Sequence, residues 1–234
     1  MERAHAVENL TFDVHPREIL CVVGESGSGK SITSLATMGL LPPGLQVTAG
    51  EIDFEGRDVL NLSKQERNAM RGDRMAMIFQ EPMTALNPAY TVGNQIEEVF
   101  RIHSDISGSE RRERTLKLME EVRLPEPKRL YGAFPHQLSG GQRQRIMIAM
   151  ALARDPKLLI ADEPTTALDV TTQAQILLLL KQLNAGHDAG IMFITHDFGV
   201  VAEIADRVIV MRHGRIVEQG LAEEVLNHPK HPYT

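Results

Sequence analysis

Eight consecutive residues, Gly24 to Ser31, constrain this chain more than any other segment, because they read GESGSGKS and so match G-x-x-x-x-G-K-S. Such a loop points its backbone N–H groups at a phosphate when it lies between a strand and a helix. The apolar run from Ile19 to Val23 precedes it and predicts a buried strand. The pattern from Lys30 to about Leu40 predicts a helix. The segment therefore predicts a strand, a phosphate-binding loop and a helix, in that order.

The residue types within this loop predict how it would hold a triphosphate. Its glycines allow the tight turn, and the N-terminus of the following helix adds about half a positive charge. Lys30 supplies a mobile cation for the β- and γ-phosphates, and Ser31 offers its hydroxyl to Mg²⁺, which prefers oxygen ligands. The alternative, a glycine-rich turn that binds nothing, is disfavoured by the flanking strand and helix. The candidate ligands are Gly24, Glu25, Ser26, Gly27, Ser28, Gly29, Lys30 and Ser31.

Two carboxylates follow another apolar segment. Leu158 to Ala161 predicts a buried strand, and Asp162 and Glu163 come directly after it. A parallel sheet delivers such residues to the crevice at its carboxyl edge, where the phosphate-binding loop would also lie. There Asp162 is predicted to hold Mg²⁺ through water, and Glu163 to act as general base on an attacking water or to orient it. The alternative is a solvated acidic turn.

Strand and helix patterns alternate over much of the chain, which predicts an α/β fold with a mainly parallel sheet and helices on both faces. An antiparallel hairpin is predicted from Gly50 to Phe54 with its turn at 55–58, and Ser63 with Glu66 forms a capping box that opens a short helix. The other predicted elements are strands at 10–14, 75–79, 191–195, 208–211 and 215–218, and a helix at 170–183.

The character of the sequence changes between Pro82 and Pro156. Apolar residues recur there at helical spacing, no strand pattern is present, and Ser107 and Ser109 are expected to cap a helix. We interpret 82–156 as an inserted helical lobe, and 1–81 with 157–234 as the core of a single domain.

Composition limits the classes of function. The 234 residues carry a net charge of −6, which argues against nucleic-acid binding. No apolar run approaches the roughly 20 residues of a membrane helix, and the start of the chain has no signal-peptide pattern. The single Cys21 excludes a disulfide within these residues. These features predict a cytosolic protein and leave docking onto a membrane protein open.

A second glycine-containing turn, Leu138 to Gln142, reads LSGGQ and precedes a predicted helix from Gln142 to Arg154. Its helix N-terminus is a second candidate anion-binding element, although it has no lysine and no metal ligand. Taken alone, the turn is equally well explained as an ordinary helix cap.

Together these motifs resemble the nucleotide-binding domain of ABC transporters, over nearly the whole chain. The resemblance is carried by GESGSGKS, Gln80, LSGGQRQR, LLIADEP, the ALD of residues 167–169 and His196, which occur in that order. It implies an ATPase that binds ATP and Mg²⁺ in a head-to-tail dimer, with each ATP clamped between the phosphate-binding loop of one subunit and the LSGGQ turn of the other.

The resemblance also implies roles for single residues. Gln80 would sense Mg²⁺ and the water and link them to the helical lobe, Asp169 would lie at the dimer seam, and His196 would contact the γ-phosphate and steady Glu163. Without the resemblance, His196 would be interpreted as an ordinary histidine at a strand end. The LSGGQ turn would meet the partner's γ-phosphate through Ser139, Gly140, Gly141 and Gln142.

A finer resemblance is to the ATPases of oligopeptide, dipeptide, glutathione and nickel uptake systems. It is carried by FQEPMTALNP, FPHQLSGGQRQRIMIAMALA, DEPTTALDVTTQAQIL and HPYT. It implies a second ATPase subunit, identical or paralogous, membrane permease subunits and, indirectly, a solute-binding protein, with the chain bound peripherally at the cytoplasmic face of the inner membrane. An ABC ATPase that energises another transporter, for another solute or for export, is the alternative.

The chain departs from the family pattern at the position of the aromatic residue that stacks on adenine. ABC ATPases stack adenine on an aromatic residue upstream of the phosphate-binding loop, and that position falls at or before Met1. Phe12 lies on an alternating apolar face and is predicted to be core instead.

Three rival functions were weighed. DNA-repair ABC proteins carry a long coiled-coil insertion, and translation-type ABC proteins carry two ATPase units, whereas this chain shows neither. A catalytically idle binding module is disfavoured because Lys30, Asp162, Glu163 and His196 are all present.

Overall fold

A six-stranded sheet forms the centre of the protein in a computed structural model that describes residues 5–80, 85–166 and 168–234. The strand order is β4-β5-β6-β1-β7-β8, with every neighbouring pair parallel except β7 and β8. The predicted, mainly parallel α/β sheet is therefore confirmed. The strands are β1 (Ile19–Val23), β4 (Met75–Ile78), β5 (Leu158–Asp162), β6 (Gly190–Thr195), β7 (Arg207–Arg212) and β8 (Arg215–Leu221).

The helices of the described residues fall into two groups. Four lie between β4 and β5, namely α3 (Val92–His103), α4 (Gly108–Glu121), α5 (Pro127–Leu130) and α6 (Gly140–Leu152). The others are α1 (Lys30–Thr37), α2 (Lys64–Met70), α7 (Val170–Gly186), α8 (Phe198–Ile204) and α9 (Ala222–Asn227). None of the described helices is long and apolar enough to cross a membrane.

Each face of the sheet has its own core. Cys21, Val23 and Phe193 point to the side covered by α6, α7 and α8. Leu20, Val22 and Met192 point to the other side, together with Met70 at the end of α2. The strands are buried on both faces, which explains why β1, β5 and β6 are continuous apolar runs rather than alternating ones.

The predicted strand at 10–14 is wrong. Leu10, Phe12 and Val14 are half-buried and alternate with exposed residues, as their pattern suggests, but the segment joins no sheet. Its apolar side chains pack onto the core that contains Leu20 and Val22. An alternating pattern of apolar residues shows only which side chains are buried. A strand must also form backbone hydrogen bonds with a neighbouring strand, and residues 10–14 do not.

Several other predicted elements shift in their bounds. The hairpin consists only of β2 (Asp53–Phe54) and β3 (Arg57–Asp58). Helix α1 ends at Thr37 instead of Leu40, and Gly39 follows with a φ of 61°. Helix α6 spans Gly140–Leu152 instead of 142–154, because Ser139 already caps it.

The predicted caps are mostly confirmed. Ser63 and Glu66 form the capping box of α2, and the Ser107 hydroxyl accepts from the Glu110 N–H at the start of α4. Ser109 lies within α4 and is not its cap.

Candidate functional site

The carboxyl ends of three adjacent strands, β5, β6 and β1, meet at one edge of the sheet. Beyond that edge lies a cleft of about 780 Å³. The loop after β1, the residues after β5 and the residues after β6 contribute to it, because parallel neighbours end on the same side. Its lining is Gly24, Glu25, Ser26, Gly27, Gly29, Lys30, Ser31, Ile32, Gln80, Glu163, Thr166, His196, Phe198 and Tyr233.

The backbone of the 24–31 loop requires glycine at specific points. Gly29 has a φ of 105° and is the residue before α1, and Gly27 has a φ of 76°. These values lie in the left-handed region, where a side chain is strained. At Gly24 an added Cβ would lie 2.2 Å from the carbonyl oxygen of Met211. The loop is thus fixed by conformation at two glycines and by close packing at a third.

Lys30 is held inside this loop. Its side chain is buried, and its Nζ donates to the carbonyl oxygens of Gly24 at 2.7 Å and Glu25 at 3.0 Å. Burial lowers the pKa of Lys30, opposed by the attraction of the nearby Glu163 and Asp162 carboxylates. An ammonium group that donates to neutral backbone carbonyls is poised to exchange them for the charged oxygens of a phosphate.

Asp162, the last residue of β5, is hydrogen-bonded to the start of α1. Ser31 donates from its Oγ to Asp162 Oδ1 at 3.2 Å, and Asp162 is buried. Burial raises the pKa of Asp162, partly offset by the Ser31 hydrogen bond. A hydroxyl and a buried carboxylate are hard oxygen donors, so a divalent cation at this point would relieve the burial of the charge.

Glu163 is oriented by three side chains. Its Oε2 accepts from Gln80 Nε2 at 3.2 Å and from Thr166 Oγ1 at 3.1 Å, and its Oε1 lies 3.2 Å from His196 Nδ1. The Glu163 side chain is 14% exposed, while His196 is 54% exposed. Glu163 is therefore sheltered and directed by its neighbours, and His196 faces the open cleft.

The backbone at Glu163 is strained. Its φ is 46°, a left-handed value that is uncommon for a residue with a side chain. The Glu163 N–H donates to the carbonyl oxygen of Ile194 at 2.9 Å, which holds this turn against β6. Such conformations cost of order 1–3 kcal/mol and cluster at functional sites, so the strain marks the turn that aims the carboxylate.

The LSGGQ turn is not part of this cleft. Ser139 is exposed, and its hydroxyl caps α6 by accepting from the Gln142 N–H at 3.2 Å. Asp169 caps α7 and accepts from Thr172. An added Cβ on Gly141 would lie 2.6 Å from Thr172 Cγ2, so the two capped helix starts are neighbours. None of Ser139, Gly140, Gly141, Gln142 and Asp169 lines the cleft.

Sequence reasoning missed four lining residues: Ile32, Thr166, Phe198 and Tyr233. Thr166 lies three residues after Glu163, the spacing of a turn, which was an available signal. Tyr233 belongs to the HPYT segment, which the family resemblance included without any role at the site. Phe12, predicted to be core, packs half-buried on the core that contains Leu20.

Comparison with known proteins places this geometry in a family. The family model described as "ABC transporter" matches residues 7–166. The chain is 54% identical, over 98% of its length, to the peptidoglycan transport ATP-binding protein YejF of Agrobacterium fabrum, of which it covers 42%. It is also 54% identical, over 98% of its length, to the oligopeptide transport ATP-binding protein OppD of Bacillus subtilis, of which it covers 64%. The chain thus spans less than two thirds of the length of these two relatives.

Solved structures agree. The fold matches a dimeric ATP-binding cassette in a post-hydrolysis state bound to ADP and phosphate, with a TM-score of 0.81 and 32% identity over 93% of this chain and 90% of that one. With the family model matching well over half of its residues, this chain belongs to the ABC transporter family.

Proposed function

We propose that this chain is the ATP-binding subunit of an ABC importer, and that it binds and hydrolyses Mg-ATP to power the uptake of peptides or a related small solute. The observation that carries the proposal is the convergence of Lys30 and Glu163 on one cleft, which most of the 24–31 loop lines. The buried Asp162 accepts a hydrogen bond from Ser31, which belongs to that lining. The relatives' names and the nucleotide-bound structural neighbour support it.

Binding of the triphosphate starts from the loop. Its N–H groups and the N-terminus of α1 attract the anion, and Lys30 turns from the carbonyls of Gly24 and Glu25 to the β- and γ-phosphates. Until ATP arrives, those carbonyls keep the ammonium group inside the loop, and the phosphate oxygens would then replace them as acceptors.

The metal site uses few protein donors. The Ser31 hydroxyl and the Asp162 carboxylate fit Mg²⁺, and Gln80 adds an amide oxygen nearby. Among residues 5–80, 85–166 and 168–234, no group of three or more His, Cys, Asp or Glu side chains is placed to hold a metal ion. A Mg²⁺ ion at Ser31 and Asp162 would complete its shell with phosphate oxygens and water. When bound, Mg²⁺ neutralises charge on the phosphates and helps to align them for displacement.

Glu163 is the proposed general base. It would accept a proton from water as the water oxygen bonds to the γ-phosphorus and the bond from that phosphorus to the bridging oxygen breaks, leaving the electron pair on ADP. Gln80 and Thr166 hold one carboxylate oxygen, and His196 borders the other. In this role His196 steadies Glu163 and reaches the γ-phosphate from the open side of the cleft.

The LSGGQ turn would complete the site of a second subunit. Ser139 and Gly140 are exposed and Gly141 is partly exposed at the start of α6, and none of them lines this chain's own cleft. A head-to-tail pair would place them against the γ-phosphate on the partner, with Asp169 at the seam, and the structural neighbour is itself dimeric. The second subunit is either an identical chain or a paralogue.

The inserted segment 82–156 would carry the motion. Gln80 lies two residues after the end of β4 and contacts Glu163, so it would relay the state of the nucleotide to the helices α3 to α6. Residues 1–81 and 157–234 form the core in this proposal. The helices would dock on permease subunits at the cytoplasmic face of the inner membrane, with a solute-binding protein acting through those permeases.

Nucleotide titration tests the function directly. We expect the purified chain to bind ATP in the presence of Mg²⁺ in calorimetry and to release phosphate slowly, more so when it is reconstituted with permeases. The absence of ATP binding by a folded chain would contradict the proposal.

A further inference from the structure

The HPYT segment, His231 to Thr234, has no role in the chemistry described above, yet it lies against the phosphate-binding loop. The hydroxyl of Tyr233 accepts a hydrogen bond from the backbone N–H of Glu25 at 3.2 Å, across 208 positions of sequence. Tyr233 also lines the cleft and a smaller neighbouring pocket that Glu25 and Arg212 share. The segment thus touches the loop where β1 turns towards the phosphate site.

Four contacts hold Tyr233 and two residues shortly before it, Lys230 and His231, in this place. The Glu218 carboxylate on β8 accepts from the N–H groups of Lys230 at 2.7 Å and His231 at 3.1 Å. The Tyr233 N–H donates to His231 Nδ1 at 3.1 Å. The guanidinium of Arg212 lies 4.7 Å from the centre of the Tyr233 ring, within the range of a cation–π contact. The segment is therefore anchored to the last two strands of the sheet, and the ring has a fixed neighbour.

The contact matters because Glu25 belongs to the phosphate-binding loop and is one of two residues whose carbonyls hold Lys30. The Glu25 carbonyl oxygen accepts from Lys30 Nζ at 3.0 Å and from the Ser28 N–H at 3.2 Å. The hydroxyl of Tyr233 fixes the N–H of the same residue. Glu25 is thus bonded at both ends of its backbone, to Tyr233 on one side and to the loop interior on the other.

We propose that Tyr233 is a positioning residue for nucleoside triphosphates: its hydroxyl fixes the backbone of Glu25, and through Glu25 the 24–31 loop, in the conformation that accepts the phosphates. The proposal rests on the proposed ATP-binding function and adds a residue to it. Tyr233 acts on affinity by preorganising the loop, since a loop that is already ordered loses less entropy on binding.

A packing role would predict something different. The Tyr233 ring packs half-buried against the main core and beneath Arg212, and phenylalanine would keep both contacts. Only the hydroxyl distinguishes positioning from packing, so Tyr233→Phe separates the two. Tyr90→Phe is the matched control, because Tyr90 is 54% exposed and lies outside the cleft.

Two readouts test the proposal on the purified chain. Losing one hydrogen bond is expected to weaken ATP binding about two- to tenfold in calorimetry with Mg²⁺, and to raise the KM for ATP by a similar factor with a smaller change in kcat. Without nucleotide, amide hydrogen exchange in the peptide that contains Glu25 is expected to accelerate. The thermal midpoint of Tyr233→Phe should match that of the parent, and Tyr90→Phe should match the parent in every measurement.

A second variant tests whether the position of the Tyr233 ring supports the hydrogen bond of its hydroxyl to Glu25. Arg212→Gln removes the cation above Tyr233 and leaves the hydroxyl in place, so we expect a smaller change in the same direction.

The outcomes separate this inference from the proposed function. If the parent binds ATP and Tyr233→Phe matches it in affinity and in exchange, the positioning role is wrong and the ATPase proposal stands. An equal loss of thermal stability and affinity would assign Tyr233 to packing and overturn the inference. A folded parent that does not bind ATP would overturn both.

Discussion

Two helix N-termini in this protein have similar turns and opposite surroundings. At α1 the loop backbone encloses the buried Lys30 beside two carboxylates at the edge of the sheet. At α6 the turn is exposed, and Ser139 satisfies its own helix by a reciprocal bond with Gln142. The first turn therefore has a buried cation, nearby carboxylates and a surrounding cleft. The second turn offers only the Ser139 hydroxyl and backbone N–H groups. This difference supports the proposal that the first turn binds the nucleotide and that the second turn completes the site of a neighbouring subunit.

The largest effect is expected from removing the proposed base. Glu163→Gln keeps the size of the side chain but cannot take a proton, so phosphate release should fall about 10²- to 10⁴-fold while ATP binding persists. Phosphate release and calorimetry measure the two effects. Glu203→Gln on the exposed side of α8 makes the same chemical change outside the cleft and should be silent. Rapid phosphate release by Glu163→Gln would refute the base assignment.

The second turn is tested by blocking it. Ser139→Arg places a large cation at the start of α6, and we expect turnover to fall about 100-fold because the partner's phosphate is no longer aligned. ATP binding to the monomer should be intact. Ser107→Arg is the matched control, since Ser107 caps α4 in the same way and loses a similar capping energy of about 1 kcal/mol. If turnover survives in Ser139→Arg, the role of the turn in trans is wrong.

The first turn is tested by removing its cation. Lys30→Ala should weaken ATP binding about 10- to 100-fold, the range of a charge-assisted hydrogen bond, as measured by calorimetry. Lys181→Ala, on the exposed face of α7, removes the same charge elsewhere. Unchanged affinity in Lys30→Ala would mean that the 24–31 loop does not hold the phosphates.

The smallest effect concerns the orientation of the base. Thr166→Val keeps the shape of the side chain and removes the hydroxyl that donates to Glu163 at 3.1 Å. We expect kcat to fall about two- to tenfold with little change in KM, as measured by phosphate release. Thr171→Val serves as the control, because Thr171 is at an exposed position of α7. A change in KM alone in Thr166→Val would count against an orienting role.

The sequence predicted the parts of this molecule that follow short-range rules. The loop motif specifies its own conformation, and the apolar runs of β1, β5 and β6 are long enough to identify strands that are buried on both faces. Because those strands are parallel, the prediction that Asp162 and Glu163 share an edge with the loop agrees with the geometry. Their roles in hydrolysis remain predictions.

Features that depend on distant contacts were not predictable. The contact of Tyr233 with Glu25 joins residues 208 positions apart, and no local pattern encodes it. The left-handed backbone of Glu163 is imposed by its bond to Ile194 on the neighbouring strand. The segment at 10–14 has the alternating burial of a strand, yet it forms no backbone hydrogen-bond ladder with either described sheet.

Crosslinking between the two turns tests the central claim most directly. The only native thiol, Cys21, is buried, and burial raises its pKa, so it is unreactive. In the Glu163→Gln background, Ser26→Cys chains mixed with Ser139→Cys chains should form a covalent dimer with a short thiol crosslinker when ATP and Mg²⁺ are present, and not without nucleotide. Failure of the ATP-loaded mixture to crosslink, with both chains shown to bind ATP, would contradict the claim that each chain completes the site of another.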